Sequence, residues 1–351
     1  MPLCLNGKPL KGAIQPPQKC FDPFAILLVM DEITVVVLGD APPAVLERLN
    51  TIGPGVRLRA GKNAEELSPA LPEARVLFSW GAPKAEIKKI LESAPKLSWI
   101  HQRSVGLDAA LFPELIASPI PLTNGRGTFS QSLGEFVITG ALYFAKFIPR
   151  MLKIKAERKW EEFNVLELST QTMGIVGHGD IGRAIARRAK ALGMKVLALR
   201  RDPAPREGDE FVDRVYPNAK LHEMLPECDY VVVAAPLTPF TKHLLSTAEF
   251  NIMKPEAIVL NVGRGPVIDE AALVEALRAK KIAGAALDVF EVEPLPQDSP
   301  LWDMDNVLIS CHTADHTKDW HNDAAIFFLE QFARWRKGEP LKNLVDKHAG
   351  Y

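Results

Sequence analysis

Cysteine is scarce in this chain: its 351 residues include four (Cys4, Cys20, Cys228 and Cys311), with no C-x-x-C spacing among them. That pattern implies neither a disulfide framework nor a structural zinc site, and a reducing, cytoplasmic setting is expected. Long apolar runs are also missing. Phe24 to Met30 and Phe136 to Ala145 are the longest, far short of the ~20 residues that span a bilayer, so no transmembrane helix and no membrane partner are expected. No sign of charge dominates, with 42 Lys plus Arg against 43 Asp plus Glu. Without a basic block to neutralise phosphates, nucleic acid is not an expected partner. No G-x-S-x-G elbow marks a hydrolase. His312, His316 and His321 lie close in sequence, but no H-E-x-x-H or carboxylate pair accompanies them, so no metal is expected.

The first 29 residues are rich in Pro and Gly and lack the basic start, apolar core and cleavage site of a secretory signal. They read as an N-terminal extension before a folded chain starting near Met30. From there short β-branched runs alternate with amphipathic stretches, the pattern of βα units on parallel sheets. Ile33 to Gly39, Val56 to Arg59, Arg75 to Trp80 and Leu97 to Ile100 are the first strands, with helices at Pro42 to Asn50 and Pro83 to Ser93. A second series follows at Met173 to Gly177, Lys195 to Arg200, Tyr230 to Ala235, Ala257 to Val262, Ala283 to Val289 and Val307 to Ser310. Such near-continuous apolar strands belong to a sheet covered on both faces. Helices at Asp180 to Leu192, Thr247 to Met253 and Asp269 to Lys281 complete a doubly wound α/β domain. Ser130 to Lys159 is amphipathic with a break expected at Pro149. Asp319 to Lys337 is helical, with Ala325, Phe328, Leu329, Phe332 and Trp335 forming an apolar stripe.

The segment from Met173 to Gly182 carries G-x-G-x-x-G at Gly177, Gly179 and Gly182, after a strand and opening a helix. Gly177 makes the turn, Gly179 admits a pyrophosphate, and Gly182 lets helix and strand pack closely. The helix N-terminus offers N–H groups to the anion, from Asp180 and Ile181 onward. A dinucleotide site has its ribose reader about 20 residues on, and an NAD site uses a carboxylate there. Here that position, 23 residues beyond Gly177, is Arg200, followed by Arg201. Guanidinium groups cannot accept from a 2′-hydroxyl but can grip a 2′-phosphate. The expected cofactor is therefore NADP, with NAD less favoured; two solvated surface arginines are the alternative.

Three polar residues follow the later strands of this domain: Arg264, Glu293 and His312. An arginine, a carboxylate and a histidine at one sheet edge suit hydride transfer involving a hydroxy acid. Arg264 can fork onto a planar carboxylate, His312 can exchange a proton near neutral pH, and Glu293 can orient His312 and favour its protonated form.

With these residues in place, the chain from about Ile33 to Tyr351 resembles the D-isomer-specific 2-hydroxyacid dehydrogenases. The resemblance rests on Val-Gly-Leu-Asp at 105 to 108, the Gly177 loop, Pro-Leu-Thr-Pro-Phe-Thr at 236 to 241, Asn-Val-Gly-Arg-Gly at 261 to 265, Ala-Leu-Asp-Val-Phe at 286 to 290, Glu293-Pro294, Pro-Leu-Trp at 300 to 302, His312 and Asn343-x-Val345. The arginine-pair loop is similar to that of NADP-using glyoxylate and hydroxypyruvate reductases in this family. The resemblance implies reversible reduction of a small 2-oxo acid to a D-2-hydroxy acid. It also implies substrate contacts at Val105 and Gly106, and cofactor contacts at Pro236, Thr241, Val262, Gly263, Asp288 and Ala314. A homodimer formed through the dinucleotide domain is implied too, and the apolar segment Phe136 to Phe147 suits it.

The implied fold is a Rossmann domain at 125–313 and a smaller, discontinuous flavodoxin-like substrate domain at 30–124 and 314–351. Cys311 stands where the family usually has proline, which bears on how rigidly His312 is presented. Arg103, before the Ser104-Val105-Gly106 loop, adds a cation whose direction the sequence leaves open. A non-catalytic corepressor-like binding module on the same scaffold is the alternative, disfavoured by the retention of Arg264, Glu293 and His312. A methyltransferase would call for an acidic ribose reader in place of Arg200.

Overall fold

In the computed structural model, residues 32–108, 110–206 and 208–351 are described; the extension at 1–29 lies outside them. Two all-parallel sheets organise the chain. The first contains β1 (Ile33–Leu38), β2 (Val56–Gly61), β3 (Ala74–Ser79), β4 (Trp99–Gln102) and β5 (Leu122–Asn124), in the order β2-β1-β3-β4-β5. The second contains β6 (Thr172–Val176), β7 (Lys195–Arg200), β8 (Arg214–Pro217), β9 (Tyr230–Val233), β10 (Ile258–Asn261), β11 (Gly284–Leu287) and β12 (Val307–Ile309), in the order β12-β11-β10-β9-β6-β7-β8. The first order is flavodoxin-like; the second is a doubly wound dinucleotide fold whose strand order reverses beside β6.

Strands β1, β9, β10 and β11 are buried along their whole length, as their Val, Ile, Leu and Ala content requires when helices cover both faces. Helix starts follow local chemistry. Pro43 opens the helix to Leu49, Ser246 and Glu249 form a capping box, and the Asp269 carboxylate accepts the Ala272 N–H.

Two short edge strands, β5 and β8, are additions to the sequence reading. β4 also runs to Gln102, because polar His101 and Gln102 are buried and His101 Nδ1 lies 2.7 Å from the Thr123 hydroxyl on β5. The expected break near Pro149 falls earlier. The helix Ser130–Ala145 ends, Phe147 turns left-handed at φ 52°, and Pro149 sits in the first turn of the next helix, Ile148–Ala156, where its missing N–H costs nothing.

The helix Trp320–Arg336 returns to the first sheet, stacking Phe328 on Phe78 with ring centroids 4.2 Å apart. Ala325, Phe328 and Phe332 of the expected stripe are buried, and Leu329 and Trp335 pack against the same core. Val345 N–H then donates to Leu122 O at 2.9 Å. Chain-distant segments thus build one layer over β4 and β5, which brings the ends of the strands of both sheets to one cleft.

Candidate active site

A cavity of about 340 Å³ lies at that cleft, lined from the first sheet by the loops after β4 and β5 and from the second by the loops after β6, β9, β10, β11 and β12. These are carboxyl ends of parallel strands, where doubly wound sheets place ligands. Of the sequence-derived residues, Val105, Gly106, Arg264 and His312 line it, as do Gly179, Asp180 and Ile181 of the glycine loop. Pro236, Val262, Gly263 and Asp288 complete that set.

The glycine loop has the shape the sequence implies. Gly177 takes φ 99°, and a Cβ there would lie 2.7 Å from Ala235 N; one at Gly182 would lie 2.3 Å from Gly177 O. Gly179 instead meets nothing within 4 Å. Its open face adjoins the start of the helix Asp180–Ala191, whose first N–H groups have no intrahelical acceptor. The loop therefore fits a pyrophosphate: tight where strand and helix pack, and clear where an anion would approach.

Arg264 is presented by a turn that the Asn261 side chain closes, accepting from Gly263 N–H and donating to Arg264 O, each at 3.0 Å. Its Nε donates to Asp108 Oδ1 at 2.9 Å and its Nη1 to Gly263 O at 2.9 Å. Nη2 passes so close to the neighbouring loop that a Cβ on Gly106 would stand 1.6 Å from it. Only glycine at 106 permits this approach. That loop is held in turn by Asn124, whose Nδ2 donates to Val105 O at 2.7 Å. Asp108, whose role the Val-Gly-Leu-Asp motif does not reveal, is thus the carboxylate partner of Arg264.

His312 adopts φ 53°, with its N–H donating to Asp288 O at 2.8 Å. The buried Asp288 carboxylate accepts the N–H groups of Thr313 and Ala314 at 2.9 and 3.0 Å. Asp288 therefore fixes the backbone that presents the histidine. His312 Nδ1 lies 2.7 Å from Glu293 Oε2, and Glu293 Oε1 accepts the Phe290 N–H at 3.0 Å. The hydrogen bond to Glu293 raises the His312 pKa above its ordinary value, against the opposing effects of burial and the Arg264 charge. Burial pushes Glu293 up, but its bonds to His312 and the Phe290 N–H outweigh this and hold it below the usual carboxylate value. The pairing thus favours the charged form of each partner.

Other expected residues stand behind the cavity rather than in it. Thr241 Oγ1 donates to Pro236 O at 2.6 Å and accepts from Thr238 N–H at 2.8 Å, shaping the loop that carries Pro236. Ala314 O accepts from Ser132 at 2.6 Å.

The arginine pair divides, which corrects the reading of both as free phosphate ligands. Arg200 is buried: its Nη2 donates to Asp209 Oδ2 at 2.8 Å, its Nε to Asp202 O at 2.8 Å, and further bonds reach Pro203 O and Ala204 O. Its Nη1 meets Asp209 and the ring nitrogen of His178. These contacts engage the whole guanidinium. Arg201 remains exposed, 5.2 Å over the Tyr351 ring. Sequence spacing located the pair, but only the acidic loop at 202–209 distinguishes its members.

Residues 138–314 match the family model described as D-isomer specific 2-hydroxyacid dehydrogenase, NAD binding domain. The chain is 34% identical over 269 residues to a glyoxylate reductase of Korarchaeum cryptofilum, covering 74% of this chain and 79% of that protein. It is 33% identical over 297 residues to a D-3-phosphoglycerate dehydrogenase of Methanocaldococcus jannaschii, covering 83% of this chain but 55% of that protein, so it spans about half the length of that relative. A D-isomer specific 2-hydroxyacid dehydrogenase from Xanthobacter autotrophicus, solved with NADPH and MES, superposes with a TM-score of 0.79 at 32% identity over 90% of this chain and 99% of that one. An NADPH-dependent glyoxylate/hydroxypyruvate reductase from Sinorhizobium meliloti, solved with NADP and sulfate, gives 0.79 at 27% identity over 91% and 100%. With the doubly wound sheet, the glycine loop and the Arg264, Glu293 and His312 constellation already in view, these matches establish that the chain belongs to the D-isomer specific 2-hydroxyacid dehydrogenase family.

Proposed function

We propose that the protein reduces a small 2-oxo acid of the glyoxylate or hydroxypyruvate type to the D-2-hydroxy acid, reversibly, and prefers NADPH to NADH. The observation that carries the reading is that His312, held by Glu293 at 2.7 Å, lines the same cavity as Arg264. Glu293 takes up Nδ1, which leaves Nε2 as the ring nitrogen to exchange a proton with a substrate. A bound nicotinamide dinucleotide supplies the hydride, and Gly177, Gly179, Gly182, Asp180, Ile181, Pro236, Val262 and Gly263 are the residues to hold it. Arg264 binds the substrate carboxylate through its guanidinium and draws charge toward the 2-oxo group, with the backbone at Val105 and Gly106 opposite. His312 delivers its proton to the carbonyl oxygen as C2 is reduced, and removes it in the reverse direction. Glu293 and Asp288 fix the ring and its backbone, and so act as positioning residues.

The preference for NADPH is supported by Arg201, exposed at the end of β7. We assign 30–124 with 314–351 as the substrate domain and 125–313 as the dinucleotide domain, and infer a cytoplasmic homodimer. Support for the dimer lies in the apolar side chains exposed at Phe147, Met151, Leu152, Trp160, Val165 and Leu166, a patch that begins where the expected segment ends. The test of the reaction is a panel of 2-oxo acids assayed with both reduced cofactors. Turnover of glyoxylate or hydroxypyruvate fits; no oxidation of either cofactor with any 2-oxo acid contradicts it.

A further inference from the structure

Arg103 lines the same cavity as Arg264 and His312 but touches neither the Glu293–His312 pair nor the Asp108–Arg264 pair by a hydrogen bond. Its guanidinium lies between two indoles, 5.0 Å from the Trp80 ring and 4.8 Å from the Trp320 ring. Two aromatic rings at this distance attract the cation and hold its position while leaving N–H groups to donate hydrogen bonds. Nε is buried without a partner, and among the described residues no carboxylate pairs with the head group. Asp315, whose charge acts on Arg103, also lines the cavity but lies 3.7 Å from His316, whose ring stacks on Trp320 at 4.3 Å. A half-buried cation without a counter-ion is costly, and the aromatic clamp keeps it rigid. Such an arrangement is preorganised for an anion that arrives with a ligand.

We propose that Arg103 is a specificity-determining residue that binds a second carboxylate, so that the preferred substrates are 2-oxo dicarboxylic acids. The inference rests on the reaction proposed above: Arg264 takes the carboxylate beside the reacting carbon, and Arg103 takes the one at the far end. Asp315 selects among anions. Beside it the local charge suits a singly charged carboxylate, whereas a doubly charged phosphate meets repulsion.

The test compares kcat/KM for oxaloacetate and 2-oxoglutarate with 2-oxobutyrate and 2-oxovalerate, which replace the distal carboxylate by a methyl group. The same ratio is measured for Arg103→Met and Arg103→Lys, and calorimetric binding of D-malate is compared with D-2-hydroxybutyrate. A charge-assisted contact predicts a preference for the dicarboxylate of about 10- to 100-fold in the parent, abolished in Arg103→Met and partly kept in Arg103→Lys. Turnover of the methyl-ended acids without that preference, or a preference that survives Arg103→Met, overturns the role of Arg103 and leaves the proposed reaction intact. Tighter binding of D-malate, dependent on Arg103 but without turnover of any 2-oxo acid, supports the site and overturns the reaction. A larger Arg103-dependent gain for 3-phosphohydroxypyruvate over hydroxypyruvate overturns the choice of carboxylate.

Discussion

Replacing Arg201 by serine removes the exposed member of the arginine pair and leaves the buried one in its loop. A charged hydrogen bond contributes about 1.5 to 3 kcal/mol, and solvent screening at an exposed site reduces this toward ~1 kcal/mol. Arg201→Ser should therefore lower the ratio of kcat/KM for NADPH over NADH by about 5- to 10-fold, with little change in stability. Arg200→Leu should do something different. The hydrogen bond from Arg200 is the main cause of the Asp209 pKa falling from 3.8 to about 2, a shift on the order of 2 kcal/mol. Because the folded value is the lower one, this stabilisation is fully present above pH 3.8 and is lost as the pH falls toward 2. At neutral pH, Arg200→Leu should thus lower Tm by about 5 to 10 °C and weaken both cofactors together. The assay is steady-state kinetics with each cofactor beside thermal unfolding. An unchanged cofactor ratio in Arg201→Ser, or an Arg200→Leu variant with parental Tm and a loss confined to NADPH, would refute the division of roles.

His312→Ala should lower turnover about 100-fold or more while leaving dinucleotide binding measurable by fluorescence titration. In Glu293→Gln the raised His312 pKa relaxes, so the activity lost as His312 deprotonates should disappear at lower pH than in the parent; an unshifted profile counts against the pair. Gly106→Ala forces the Arg264 side chain away from a Cβ that would lie 1.6 Å from it, and should lower kcat/KM for every 2-oxo acid without unfolding the protein, as checked by circular dichroism. His101 is buried, and burial lowers its pKa from 6.5 to about 3. The unfolded chain therefore binds the proton first, and stability should fall as pH drops below 6.5, by about 1.4 kcal/mol per unit. Urea midpoints between those limits should fall less steeply in His101→Asn.

The features legible in the sequence are those set by local rules. Gly177, Gly179 and Gly182 had to follow a strand and open a helix, and β6 and the helix from Asp180 do so. Arg264 and His312 lie just beyond strands whose apolar runs are unmistakable. What escaped depended on distant partners. β5 has three residues, two of them polar, and owes its burial to β4 and the returning chain at Leu344 and Val345. β8 is an edge strand ending in proline, a weak pattern on its own. Arg200 looked like a phosphate ligand because nothing in its immediate sequence says that Asp209 folds back onto it. The pairing of Arg264 with Asp108, 156 positions apart, likewise arises only when the two sheets meet.

Single-turnover measurements decide whether Arg264 and the Glu293-held His312 reduce 2-oxo acids. Purified protein with bound NADPH is mixed with glyoxylate, and nicotinamide absorbance is followed for the parent and for His312→Ala across neutral pH. Rapid loss of the reduced cofactor signal is expected in the parent, slowing as pH rises through the raised His312 pKa, with a pH-independent rate slower by about 100-fold or more in the variant. Equal rates in the two proteins, or no oxidation with glyoxylate or any other 2-oxo acid, would contradict this expectation.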